Sequence, residues 1–265
     1  PPPLIVDGDT GYGGPSNMMR TISSLSRSGA AAISIEDQVF PKKCTIAAGS
    51  KIQIVTRDEA IERVRGAIGA RDLYYNGVVG NESNDINNNN NSIGKGTWIV
   101  ARTDCRMAYG FNEVNERCLQ FEELGAEIIY AENLQSVEEY QILRDRLDSR
   151  TITMIAQVQE SLMSVGGVRG GGNGKPLLTI QEIGELGYDL ALFGVTPLQC
   201  VVGALDATAK QFLGNPDDDH EGSMTTGLIL GGGQSPTPIP MADFSDVKRV
   251  VGFDHLERFE TEFPC

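Results

Sequence analysis

Six short runs along the chain are apolar at nearly every position: Leu4 to Val6, Ala30 to Ile35, Trp98 to Ala101, Ile128 to Ala131, Ile152 to Ala156 and Leu190 to Phe193. Continuous runs of this kind predict strands covered on both faces, as parallel strands are. Amphipathic stretches lie between them. Thr56 with Glu59, Ser136 with Glu139 and Thr179 with Glu182 have capping-box spacing, which predicts a helix start at each. Ile61, Val64 and Ile68 follow the first of these, and Val137, Tyr140, Leu143 and Leu147 the second, spaced as one buried helix face. Ser28-Gly29-Ala30, Leu124-Gly125-Ala126 and Leu186-Gly187-Tyr188 each stand just before an apolar run. Glycine there fits the left-handed residue that closes a helix. A helix–glycine–strand unit therefore recurs, which predicts a repeated β/α architecture with a parallel sheet.

Such a repeat fits a barrel or a doubly wound sheet. Polar residues gathered at strand C-termini favour the (β/α)8 TIM-type barrel, whose sites sit on that face. The length of 265 residues suits one barrel domain, expected over 1–214, with insertions at 76–96 and 164–174. An acidic connector and a C-terminal helical segment are expected over 215–265. The first insertion holds the Asn87–Asn91 tract and the second is glycine-rich. Gly170-Gly171-Gly172 lacks a phosphate-loop ending, because Lys175 is followed by Pro176.

Charge and cysteine content narrow the function. A net charge of -14 makes nucleic acid and anionic membranes poor partners. No apolar run approaches the roughly 20 residues of a membrane helix. The chain opens on Pro1-Pro2-Pro3 without a signal-segment pattern, and its five cysteines are too scattered for a disulfide framework. These features predict an intracellular protein, of the cytoplasm or an organelle matrix.

The candidate chemistry lies at the strand ends. The first strand runs into Asp7-Gly8-Asp9-Thr10-Gly11-Tyr12-Gly13-Gly14, and the second into Glu36-Asp37-Gln38. The third ends in Arg102-Thr103-Asp104, the fourth in Glu132-Asn133 and the fifth in Gln157. One Asp-x-Asp in a turn is ordinarily an Asx-turn, and one buried carboxylate beside arginine an ion pair. Acidic groups at several neighbouring strand ends point instead to one mouth. Oxygen donors of that kind suit Mg²⁺, which keeps some waters and leaves positions for a chelating substrate.

Asp7 to Gly13 resembles the metal-binding loop of the isocitrate lyase/phosphoenolpyruvate mutase superfamily. Ile35-Glu36-Asp37-Gln38-Val39-Phe40-Pro41-Lys42-Lys43-Cys44 is similar to its next strand end and mobile catalytic loop. Ala101-Arg102-Thr103-Asp104 is similar to the following strand end, and Met241 to Phe263 to the C-terminal helical segment. The resemblance implies a (β/α)8 barrel and Mg²⁺ held by Asp7, Asp9 and Glu36, partly through water. It implies catalytic roles for Arg102, Lys42 and Cys44. Arg102 would face a substrate carboxylate or enolate oxygen, and Cys44 would protonate an enolate after carbon–carbon cleavage. Lys42 and Lys43 beside the thiol would lower its pKa. Thr10, Gly11, Tyr12, Glu132, Gln157 and Thr196 would contact a small carboxylic acid substrate of the isocitrate, methylisocitrate, malate or oxaloacetate type. Assembly as a homotetramer is implied as well.

The sequence departs from the family in two places. Thr45-Ile46 stand where the lyase branch carries Gly-His, and the only histidines are His220 and His255. The family also has two strands before the Asp-x-Asp strand, so the barrel is expected to lack its first two strands in this chain. Cys44 favours a lyase. The departures keep a phosphonate mutase and a non-catalytic scaffold subunit as alternatives.

Overall fold

The computed structural model describes residues 2–43, 52–78, 96–157 and 178–194, together with 197, 198, 200–202, 204, 205, 258 and 262. The elements are β1 (Ile5–Asp7), α1 (Pro15–Arg27), β2 (Ala32–Glu36), α2 (Arg57–Val78), β3 (Trp98–Thr103), α3 (Arg106–Tyr109), α4 (Phe111–Glu123), β4 (Ile128–Ala131), α5 (Val137–Arg146), β5 (Ile152–Ala156), α6 (Ile180–Glu185) and β6 (Leu190–Leu192). The six strands form one curled parallel sheet in the order β1-β2-β3-β4-β5-β6. Each strand pairs with the next in sequence, as consecutive β/α units require.

All six apolar runs became strands, and two of them, Ile128–Ala131 and Ile152–Ala156, have the expected bounds. β2 and β3 reach further into polar sequence than expected. The reason is the ladder: Glu36 pairs with Arg102, Arg102 with Tyr130 and Thr103 with Ala131. Backbone pairing carries the strand on after the apolar side chains stop. The row continues from Tyr130 to Met154 and from Met154 to Leu190.

The sheet has two apolar faces. On the helix side, Ile33, Ile35 and Ile99 pack with Met18 and Ile22 of α1 and Ala67 and Ala70 of α2. Ala101, Ile129, Ala131 and Ile155 pack with Val64, Val114, Phe121, Tyr140 and Leu143. On the other face Ala32, Val100, Ile128, Tyr130 and Met154 form a smaller cluster. Burial on both faces is why these strands read as continuous rather than alternating.

Gly29, Gly125 and Gly187 all take positive φ, at 90°, 88° and 80°. Behind them the Ala30, Ala126 and Tyr188 amides donate to Leu25, Phe121 and Ile183 oxygens, the closing bond of a Schellman motif. At the helix starts, Thr56, Ser136 and Thr179 each accept from the amide three residues on. Only at Thr179 is the return bond from the glutamate present among the described contacts. Glu139 instead accepts from the Gln135 amide and pairs with Arg106.

α2 continues through Val78, into the range 76–96 expected as an insertion. Residues 79–95 of that range, all of 164–174, and His220 and His255 lie outside the described residues. The chain divides into two compact units, Pro1–Val195 and Thr196–Cys265. Among the described residues, no helix is long and apolar enough to cross a membrane.

Candidate active site

The loop after β1 is shaped by close approach. Gly8 donates its amide to the Ser34 oxygen at 2.9 Å. A Cβ there would lie 2.9 Å from Ile33 Cγ2 and Ile35 Cδ1 and 3.0 Å from the Ser34 oxygen. Only glycine lets the chain hug β2 so tightly. Asp9 follows with φ 51°, and its amide donates to Asp7 Oδ1 at 2.9 Å. The Asx-turn is thus real, and it coexists with the gathering of carboxylates. The Asp9 carbonyl accepts from the Glu36 amide at 2.9 Å, which ties this loop to the end of β2.

Three carboxylates meet at one cation. Lys42 Nζ lies 2.6 Å from Asp7, 2.5 Å from Asp9 and 3.5 Å from Glu36. The base of its loop is pinned: Gln38 and Ile54 form an antiparallel bridge, and the Lys43 amide donates to Gln38 Oε1 at 3.0 Å. Burial raises Asp7, but hydrogen bonds from Lys42 and the Asp9 amide outweigh it and bring its carboxyl below the ordinary value.

Glu36 is the strained partner. Its side chain is 1% exposed, and neither oxygen accepts a hydrogen bond among the described residues. Its contacts with Lys42 and with Arg102 Nε, the latter at 3.4 Å, are ion pairs too long or misaligned for hydrogen bonds. Burial first, then the Asp104 charge, push its carboxyl up to about 8 against the pull of Arg102 and Lys42. A buried carboxylate short of donors favours a strong cation beside it. Thr10 Oγ1 is likewise buried without a hydrogen-bond partner among the described residues.

Arg102 closes the next side. It donates to Asp104 through Nε and Nη2, the latter at 2.8 Å, and its guanidinium lies 5.2 Å from the Tyr130 ring centre. Its Nη2 is 3.9 Å from Glu132, which accepts a hydrogen bond from the Tyr130 hydroxyl. So Asp7, Asp9, Glu36, Lys42, Arg102 and Glu132 form one chain of ion pairs at the C-terminal ends of β1 to β4. Tyr12 stands half-exposed at its rim, where burial and then Asp9 raise its hydroxyl. Gln157 is buried with backbone partners; its Oε1 accepts from the Leu178 amide at 2.7 Å. Cys44 and Thr196 lie outside the described residues.

What holds these strand ends comes from residues distant in the chain. Asp37 accepts from Thr103 Oγ1 at 2.5 Å, the Asp104 amide at 2.8 Å and Arg117 Nη1 at 2.9 Å. Arg117, on α4, also donates to Glu113 and to the Val55 oxygen. Arg63, on α2, donates to the Glu36 and Gln38 oxygens at 2.8 and 2.6 Å. Both arginines stand among glutamates in sequence and read as surface charge; only the packing shows them reaching inward.

The donor set has the chemistry of a hard-cation site: all oxygen, several carboxylates, one of them buried and unsatisfied. Among the described residues, no group of three or more His, Cys, Asp or Glu side chains is arranged as a ready metal site. Lys42 Nζ stands within 3.5 Å of all three carboxylates.

No protein-family model matches the chain. It is 30% identical over 211 residues to the 2-methylisocitrate lyase of Aeropyrum pernix, covering 80% of this chain and 56% of that protein. It thus spans little more than half the length of that relative. The 2,3-dimethylmalate lyase of Eubacterium barkeri is 26% identical over 261 residues, 98% of this chain and 72% of the relative. A crystal structure of 2,3-dimethylmalate lyase, a PEP mutase/isocitrate lyase superfamily member, matches with a TM-score of 0.66 at 25% identity. That match covers 99% of this chain and 70% of the other.

Proposed function

The chain belongs to the isocitrate lyase/phosphoenolpyruvate mutase superfamily, and we propose that it is a Mg²⁺-dependent lyase that breaks a carbon–carbon bond of a small 2-hydroxy or 2-oxo di- or tricarboxylic acid. One observation carries this reading: Asp7, Asp9 and Glu36 converge on a single cation, next to Arg102, at neighbouring parallel strand ends. The names of the relatives, a methylisocitrate lyase and a dimethylmalate lyase, support the substrate class.

Asp7, Asp9 and Glu36 would hold Mg²⁺, which when bound supplies Lewis acidity toward substrate oxygens. Arg102 is aligned by Asp104 and stays charged, so it neutralises a substrate carboxylate or the enolate oxygen left by cleavage. Cys44 delivers the proton that converts the enolate carbon to product. Lys42 adds positive charge for an anionic substrate. The Thr10 hydroxyl, which has no hydrogen-bond partner among the described residues, is available to a substrate oxygen, and Gly11, Tyr12, Glu132, Gln157 and Thr196 complete the proposed contacts. Assembly as a homotetramer belongs to the same reading.

The test is a panel of acids with MgCl₂, including 2-methylisocitrate, 2,3-dimethylmalate, isocitrate, malate and oxaloacetate, followed by proton NMR. The expected result is cleavage of one acid, abolished by EDTA and lowered about 100-fold or more in Cys44→Ser, the usual worth of a general acid. Cleavage undiminished by EDTA, turnover of phosphonopyruvate instead, or no turnover at all would overturn the proposal.

A further inference from the structure

The point where Asp7, Asp9 and Glu36 meet is held by a cation on a tether. Lys42 Nζ makes contacts of 2.6, 2.5 and 3.5 Å with the three carboxylates, and its side chain is only 25% exposed. Burial disfavours the charged amine, but hydrogen bonds to Asp7 and Asp9 more than compensate and keep it an ammonium. Without it, Asp7 and Asp9 would face each other unneutralised, and buried Glu36 would keep only Arg102. A divalent ion seeking the same oxygens therefore meets an occupied position. Two full cations cannot share one point with three carboxylates, because their mutual repulsion is unscreened at that distance.

We propose that Lys42 is a built-in counter-cation, which holds the Asp7, Asp9 and Glu36 side chains together in the metal-free protein and is expelled from them when a divalent cation binds. Metal uptake and release of the Lys42 ammonium are then one exchange. The inference rests on the Mg²⁺ reading above and adds the competitor to it. The exchange also has a use. The expelled ammonium stays beside the site on a pinned loop base, free to meet an anionic substrate only once the cation is in place. By linkage, whatever draws Lys42 away tightens the metal, and the metal in turn frees Lys42.

Two measurements test this on the intact chain. Isothermal titration calorimetry with MgCl₂ at constant ionic strength compares wild type, Lys42→Met and Lys42→Arg. Lys42→Met should bind Mg²⁺ about tenfold or more tightly than wild type, within the usual span of coupling between sites, and Lys42→Arg should not. The second measurement uses wild type alone, so it stands even if a variant fails to fold. Acylation of Lys42 by an amine reagent, read by peptide mass spectrometry, should speed up several-fold on adding MgCl₂, with other lysines unchanged. Equal or weaker Mg²⁺ binding by Lys42→Met, with Lys42 acylation unaltered, overturns the exchange and leaves the metal reading intact. Absence of Mg²⁺ binding in all three proteins removes the metal reading, and the exchange with it.

Discussion

Asp37 and Arg117 are each 1% exposed and face one another at 2.9 Å, so removing either leaves a charge where water cannot reach it. Replacing Arg117 by methionine should cost about 3–5 kcal/mol, the usual loss when one partner of a buried pair is deleted. Urea unfolding with an unchanged m-value checks it. Asp37→Asn should cost less, because Arg117 keeps Glu113 and the Val55 oxygen. Gly8 fails for a different reason. Gly8→Ala presses a methyl onto Ile33, Ile35 and the Ser34 oxygen, and overpacking of this kind costs about 1–3 kcal/mol, seen as a lowered Tm. Burial also decides thiol chemistry. It pushes the Cys105 thiol up to about 12 and raises the Cys118 thiol well above its ordinary value, while Cys200 is exposed. Iodoacetamide at neutral pH should therefore label the Cys200 peptide and spare those of Cys105 and Cys118 until denaturant is added. The carboxylates of the site were legible because Asp7 and Glu36 close apolar runs and Asp9 follows two residues after Asp7. The inward reach of Arg117 and the resting place of the Lys42 ammonium were not, since both depend on neighbours distant in sequence.

Helix α6 is six residues long and buries only Ile183, so its N-terminal box is a large share of what holds it. α5 has ten residues, and beside its start Glu139 is tied to Arg106 of α3. Thr179→Ala should cost about 1 kcal/mol, the usual worth of an N-cap, and should speed amide exchange over residues 180–186. Ser136→Ala should change exchange in α5 less, because the Glu139–Arg106 pair survives. The same reasoning shows how far local sequence reaches. Apolar runs and glycine stops placed the strands and helix ends well because burial on two faces and positive φ leave direct marks in composition. They missed the polar tails of β2 and β3, where the ladder with neighbouring strands, not hydropathy, decides the end. α2 likewise runs on through Asn76 and Gly77 to Val78, past any apolar position in its stripe.

The sheet is unevenly protected. β2 and β4 are buried at every position, and β3 nearly so, while β1 and β6 are partly or fully exposed throughout. The consecutive parallel order follows from the β/α repeat in the sequence; the described sheet ends at β1 and β6, and closure of a full barrel is not written in these six strands. Edge strands lack one row of partners and open at lower free energy than central ones. Amide exchange should accordingly be slowest in β3 and β4 and faster in β1 and β6. This gradient matters for function because β1 delivers Asp7 and the Asp9 turn, so two of the three carboxylates hang on a strand of low intrinsic protection. Under the Mg²⁺ reading, a cation bridging Asp7 and Asp9 to Glu36 would staple that edge to β2, whose centre is well buried. MgCl₂ should then slow exchange at Gly8, whose amide bonds the Ser34 oxygen, and at Glu36, whose amide bonds the Asp9 oxygen, while leaving β5 and β6 unchanged. Uniform slowing across all six strands would mean general stabilisation instead of a cation held between β1 and β2. No slowing at Gly8 and Glu36 at saturating MgCl₂ would mean that the ion, if bound, does not join these two strands.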